Sequence, residues 1–383
     1  MNKNLNKLKF ISKEINKFII SNNNICVDRN RKNNITDAIL YKLYYTKNTS
    51  SQEKAVIKLN KFKPKSKLTT TRQSLIKKED KINVNIYEKI ANKLNVLINN
   101  NINNKYTKQI IAVDGTYTTC LKSLNNDNFK LNKNKESVTP LITGLFNITT
   151  NMPIILELAG EKNEKKAFLK YIKNKNQFKS NIFVFDRGYD SDNLFNYLNL
   201  NEMHFICRIK NNRKIVNDQN YNFININGYK IRIVKYKIND NEYNIATNLF
   251  NFSLDEIKNI YNQRWTCEEY FKYVKSNLNL DKLNEHREKN IRKSIIANLI
   301  ISQIAFLFNN LYKNESMIVN KSILTDGIYE DFLYKFLNNS RFTNNFILKF
   351  IKLYVKLIKS KKNRTYIHQC KRSNYKWYIK NKF

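Results

Sequence analysis

Glycine and proline are nearly absent from this chain, six and three in 383 residues. Asparagine, lysine and isoleucine abound instead, the bias that AT-rich coding produces, so part of any basic excess is drift. Acids are short too: 31 Asp and Glu face 69 Lys and Arg, a formal charge of +38. Such a field pushes the folded chain apart, and a polyanionic partner is what makes sense of it. Nucleic acid is the first candidate, through phosphate contacts and counterion release. A membrane surface ranks second and is not expected, because no basic amphipathic anchor or lipidation motif stands out.

Cysteines number five, Cys26, Cys120, Cys207, Cys267 and Cys370. An odd, scattered set excludes a disulfide framework and reads as reduced thiols in an intracellular protein. Of three histidines, His368 lies two residues before Cys370, but no second ligand pair accompanies them, which excludes a zinc site. The N-terminus has basic residues and no clean apolar stretch, so no signal peptide is expected. The longest apolar run, residues 295–308, is broken by Asn298, Ser302 and Gln303. It is too short to span a bilayer and reads as a buried core helix.

The most informative stretch is residues 253–278, SLDEIKNIYNQRWTCEEYFKYVKSNL. Ser253 with Asp255 and Glu256 is a helix-start signal, and no Pro or Gly follows, so one continuous helix is expected. At about 100° per residue, Tyr261, Arg264, Glu268 and Lys275 share one narrow face. Ile260, Cys267, Phe271, Val274 and Leu278 gather on the adjacent face. Taken alone, this is equally an ordinary amphipathic helix with an i,i+4 Arg–Glu pair.

The preceding chain supplies a context. Residues 1–104 read as helical, with helices expected over 34–45, 51–62, 68–82 and 85–97 and a basic DRNRKNN stretch at 28–34. Short helices with interleaved Lys and Arg suit a helical DNA-binding region. An asparagine run, 98–104, is the first linker candidate. Strand signals then take over. QIIAVDG (109–115) is an apolar run with Asp114 at its carboxyl end. Residues 137–148 and 153–159 suggest an antiparallel hairpin, and 162–173 has helical periodicity. NIFVFD (181–186) is a strand ending in Asp186, followed by a short helix over 191–200 and a strand over 204–209. Strand, hairpin, helix, strand, helix, strand is the layout of a ribonuclease-H-like α/β domain. Functional groups in such sheets stand at strand carboxyl ends. A β-rich insertion, about 211–250, shows period-two alternation and an Asn-Gly turn. The expected division is 1–104, a catalytic 105–320, and a basic helical 321–383 ending in the Lys-Arg-rich 359–382.

Asp114, Asp186 and Glu268 therefore stand out. In-line displacement at a phosphodiester uses two divalent cations about 3.5–4 Å apart, and Mg²⁺ prefers carboxylate and water oxygens. From Tyr261 the spacing is Tyr-x2-Arg-x3-Glu-x6-Lys, which resembles the Tyr-Arg-Glu-Lys signature of the insertion-sequence-four class of cut-and-paste DDE transposases. AVDGT (112–116) resembles their first-aspartate block and FDRGYDSDNL (185–194) their second. YNIATNL (243–249) and SNLNLDKL (276–283) are similar to segments flanking their glutamate helix, and RKNNITDAILYKL with TTTRQSLIKK to their N-terminal repeat-binding helices.

The resemblance implies that Asp114, Asp186 and Glu268 ligate two Mg²⁺ or Mn²⁺ ions. It implies that Tyr261, Arg264 and Lys275 hold phosphates of double-stranded DNA, at the terminal inverted repeats and in target DNA. Lys272 and Arg187 are further DNA-binding candidates; Arg187 pairs either with Asp186 or with DNA. The chemistry implied is nicking, hairpin formation and strand transfer, by a homodimer on DNA. The insertion lacks the tryptophan that some relatives stack on a flipped base; Phe223, Tyr229 and Tyr236 are the aromatic alternatives. Two other functions fit the same residues: a domesticated or decayed copy that binds without cutting, and a nuclease that cuts without joining.

Overall fold

The computed structural model describes residues 2–22, 35–47, 51–62, 71–101, 109–132, 134, 136–173, 175–216, 222–238, 241–339 and 341–359. Cys26, the whole basic stretch 28–34, residues 102–104 of the asparagine run, and His368, Cys370 and the rest of the basic tail beyond Lys359 lie outside them.

Five helices open the chain: α1 (Asn2–Ser21), α2 (Ile35–Lys47), α3 (Gln52–Lys61), α4 (Arg72–Lys81) and α5 (Val84–Asn101). The Ser51 and Thr71 side chains start α3 and α4 by accepting the backbone N–H of Lys54 and Ser74. Then come β1 (Ile110–Tyr117), β2 (Thr119–Leu121), β3 (Ser137–Val138), the hairpin β4 (Leu141–Asn147) and β5 (Met152–Ala159), and α6 (Glu164–Ile172). Next are β6 (Ile182–Phe185), α7 (Asp192–Leu200), β7 (His204–Arg208), β8 (Asn222–Ile226), β9 (Tyr229–Ile238) and β10 (Asn241–Thr247). The chain continues with α8 (Leu254–Asn262), α9 (Trp265–Leu278), β11 (Lys282–Leu283) and the long α10 (Glu288–Tyr312). It closes with β12 (Met317–Val319), α11 (Lys321–Gly327), α12 (Leu333–Asn338), α13 (Asn344–Tyr354) and β13 (Leu357–Lys359).

The main sheet has the order β5-β4-β1-β6-β7-β10-β9-β8. Strand β4 runs antiparallel to both β5 and β1, and β6 and β7 continue parallel to β1. With α6 and α7 as the crossovers, this is a ribonuclease-H-like α/β domain. The period-two stretch after β7 does form strands, turned by Asn227 and Gly228 with positive φ. It is not set apart, however: β10 pairs antiparallel with β7, so the expected insertion extends the main sheet.

Alternation along the strands sorts the core into two layers. Ala112, Ile142, Phe146 and Val184 face a layer that includes α9, α10 and the terminal helices. Ile111, Val113, Leu145, Phe183 and Phe185 face the layer of α6 and α7. Helix α10 is long and apolar enough to cross a membrane but is 89% buried over its most apolar window, as the sequence predicts for a core helix. Buried ion pairs tie the first hundred residues to its start: Lys42 to Glu285 (2.6 Å) and Lys293 to Glu79 (3.1 Å). Losing one partner of such a pair leaves a buried charge and is strongly destabilising.

The helix expected over 253–278 is in fact two. Ser253 and Glu256 form the anticipated capping box of α8, which ends at Asn262. In a continuous helix the Cys267 N–H would reach the Gln263 carbonyl. Here the Thr266 hydroxyl donates to that carbonyl (2.8 Å), and Cys267 N–H bonds Arg264 instead. Arg264 and Thr266 make the same short i→i−3 bonds, so the chain overwinds for one turn before α9. Of the expected apolar face, Cys267, Phe271, Val274 and Leu278 are buried and Ile260 only half so.

Candidate active site

The sheet register brings the two aspartates together. Ile110, Ile111 and Ala112 of β1 pair with Ile182, Phe183 and Val184 of β6. Two residues beyond the last of these pairs come Asp114 on β1 and, just past the end of β6, Asp186, close enough that the charge of Asp186 acts on Asp114. Asp114 is not at the end of its own strand, since β1 runs on to Tyr117 against β4. The sequence expectation of a strand-end acid is thus corrected for Asp114, which stands instead at the level where its neighbour β6 has just ended. By alternation Asp114 shares the face of Ala112, and Asp186 that of Val184, the side on which α9 packs.

Each aspartate is braced locally. Asp114 accepts the Gly115 N–H (2.9 Å), and Asp186 accepts the Gly188 N–H (2.8 Å), capping the turn over Arg187–Tyr189. Burial pushes the Asp114 carboxyl up to about 7. The Gly115 N–H and the nearby Arg264 guanidinium pull it partly back, while Asp186 and Glu164 push it further up.

Helix α9 comes close because Gly144, paired with Asp114 across β1 and β4, has no side chain. A Cβ there would lie 2.5 Å from the Phe271 ring, so the ring fits only over glycine. One turn earlier on α9 is Glu268, 26% exposed and bonded to Arg264 (2.7 Å). Arg264 is thus bonded to the helix acid and also feels the charge of Asp114. Lys275 is half-buried about 10 Å further along the helix axis. Lys272 is exposed, with its ammonium 4.8 Å from the Trp265 ring. Arg187 is exposed and makes no ion pair among the described residues.

Tyr261 is buried, and burial raises its hydroxyl to about 12. Its ring meets Tyr243 of β10 edge to face, Tyr243 stacks flat on Tyr236 of β9 at 5.3 Å, and Arg208 lies 4.3 Å from Tyr243. Of the three aromatics expected near a displaced base, only Tyr236 is in this group. Phe223 is buried, and Tyr229 is at the exposed β8–β9 turn.

Sequence reasoning missed Glu164 and Tyr189. The Glu164 carboxylate packs on Gly115, where a Cβ would come within 2.6 Å of its Oε1. Burial, then the Asp186 charge, raises its own carboxyl. Following the cap Asn163, it had the look of any first-turn helix acid.

Among the described residues no three His, Cys, Asp or Glu side chains already converge as a metal group. The donor chemistry does suit a hard divalent cation: two adjacent carboxylates, with burial and like charge penalising ionisation at Asp114, a penalty such a cation relieves.

Residues 105–304, more than half of the chain, match the transposase DDE domain family. The chain belongs to that family. No curated protein matches it. Among solved structures, a cryo-EM piggyBac transposase synaptic complex with hairpin DNA is similar, 9% identical with a TM-score of 0.45, over 95% of this chain and 84% of that one. At that distance the likeness has no bearing on individual residues. In this transposase Asp114, Asp186 and Glu268 all fall within the matched region, as do Tyr261, Arg264, Lys272, Lys275 and Arg187.

Proposed function

We propose that this transposase is of the insertion-sequence-four class and moves DNA by cutting and pasting, with Asp114, Asp186 and Glu268 as its catalytic acids. The observation that carries this is the register that sets Asp114 beside Asp186 on the face covered by α9, whose first turn bears Glu268. Two Mg²⁺ or Mn²⁺ ions held by these acids would activate the attacking oxygen and stabilise the leaving one. Tyr261, Arg264 and Lys275, in the signature spacing, would supply a phenol and two cations suited to phosphate. Lys272 and Arg187 add exposed positive charge beside it.

In the proposed sequence, water attacks the phosphorus at the transposon end and the P–O bond breaks, leaving a free 3′-OH. That hydroxyl attacks the phosphorus of the opposite strand and the flanking 3′ oxygen leaves, closing a hairpin. Water then hydrolyses the hairpin bond to free the 3′-OH again, and this attacks a target phosphorus, expelling the target strand's 3′ oxygen. Tyr236, stacked on Tyr243 beside Tyr261, is the aromatic placed to receive a displaced base. The helices of residues 1–104 would grip the terminal repeats; Lys3, Lys13 and Lys17 of α1 give them an exposed basic edge. Residues 105–320 would carry the chemistry and the basic 321–383 add DNA contacts. Two ends must be handled together, which calls for a homodimer on DNA.

Incubating the full chain with the DNA flanking its own gene, with and without Mg²⁺ or Mn²⁺, tests this. Metal-dependent 3′-OH ends at a repeat boundary are expected. Binding with no cleavage under any condition would instead favour a copy that binds without cutting.

A further inference from the structure

Glu268, which the signature spacing supplies, is not the only glutamate beside the aspartates: Glu164 packs on Gly115, next to Asp114. Glu268 is engaged by Arg264, whereas Glu164 reaches over from the first turn of α6 on the other face of the sheet. It can do so because residue 115 is glycine: Gly115 faces α6, and only a hydrogen stands where a Cβ would come 2.6 Å from Glu164 Oε1. The two glycines therefore clear opposite faces at the level of the aspartates, Gly144 for the α9 ring and Gly115 for a carboxylate. A second feature points to a ligand. The Tyr189 hydroxyl lies fully buried on the turn after Asp186, within the field of Glu164, Asp114 and Asp186, and makes no hydrogen bond among the described residues. A buried phenol of this kind is a donor lacking an oxygen to serve, such as a cation-bound water or a carboxylate drawn in by a cation.

We propose that Glu164 is a fourth carboxylate of this centre, binding a divalent cation together with Asp114 and Asp186. The inference rests on the metal-centre assignment made above. Because no three such acids already converge among the described residues, binding requires the Glu164 side chain to turn about its own bonds, past the end of β6, toward the ion.

The test is Mn²⁺ binding to the full chain without DNA, followed by the electron paramagnetic resonance of free Mn²⁺. It compares wild type, Asp114→Asn, Glu164→Gln and Gly115→Ala. Glu164→Gln should weaken Mn²⁺ binding at least about tenfold, the minimum for losing even an outer partner of a bound metal. Gly115→Ala keeps every acid but displaces the Glu164 carboxylate, and should weaken binding in the same direction. If Asp114→Asn loses Mn²⁺ while Glu164→Gln and Gly115→Ala match wild type, Glu164 is only a helix-start acid and the proposal fails alone. If wild type takes up no Mn²⁺, the metal-centre assignment fails and this proposal with it.

Discussion

Asp114 stands on a strand in the middle of a hydrogen-bonded sheet and Asp186 directly at the end of the neighbouring strand, each with its carboxylate tied to the next turn of backbone. Glu268 stands on a helix held to the sheet by side chains, Phe271 over Gly144 and Tyr270 against Phe146, beyond an overwound turn, and its carboxylate is held by the Arg264 side chain. The strand pair is placed by backbone register, the helix acid by side-chain packing and an ion pair. The first arrangement is rigid and built once. The second can give, and a turn of helix or a change of partner for Arg264 moves Glu268 without disturbing the sheet. For the proposed course of nicking, hairpin closure and joining, one adjustable carboxylate among fixed ones would be a sensible division.

The largest effect should come from the rigid side. Asp114→Asn or Asp186→Asn is expected to lower cleavage by more than about a hundredfold, beyond the cost of losing an outer-shell partner, while DNA binding by gel shift is retained. Cleavage within a few-fold of wild type would break the assignment of the strand acids.

Gly144→Ala probes the hinge between the two sides. Its Cβ would meet the Phe271 ring at 2.5 Å, so overpacking should cost about 1–3 kcal/mol in urea unfolding. It should depress cleavage more than Mn²⁺ affinity, because α9 is moved off the sheet while the aspartates keep their register. Unchanged stability would mean that Phe271 does not fix the helix.

The pH dependence separates Asp114 from its neighbours. Its carboxyl holds a proton up to about 7 in the folded chain, against 3.8 ordinarily. The folded state therefore binds more protons than the unfolded one between those values. The stability that this proton contributes is fully present below about pH 4 and is lost as pH rises through 7. Thermal melts from pH 4 to 8 should show that loss in wild type and a flatter profile in Asp114→Asn. Added Mn²⁺ should stabilise wild type increasingly over the same rise. Parallel profiles for the two proteins would contradict the burial-driven shift.

The smallest effect belongs to the far end of α9. Lys275→Ala should weaken end binding and reduce the salt slope by about one, the signature of one phosphate contact. An unaltered slope would remove Lys275 from the DNA path.

Much of this was legible in the sequence because strands and their acids follow a period of two. Asp114 and Asp186 could be named, and the hairpin, the crossovers and the buried α10 follow from local pattern. The break before α9 could not be read: it depends on a Thr266 hydroxyl competing for one carbonyl, which leaves the apolar spacing intact. The strands β8 to β10 announced themselves, but their pairing with β7 is a long-range choice that alternation does not encode. Glu164 was hidden because its role depends on the glycine it meets across the fold, not on its own surroundings in the chain.

The most direct test of the centre as a whole is cleavage of the flanking DNA by wild type against Glu268→Gln, with Mg²⁺ or Mn²⁺. If the adjustable acid completes the site, the variant should bind the ends and release no 3′-OH product. Equal cleavage by both proteins would show that Glu268 is only the partner of Arg264, and that the three-acid centre is wrong.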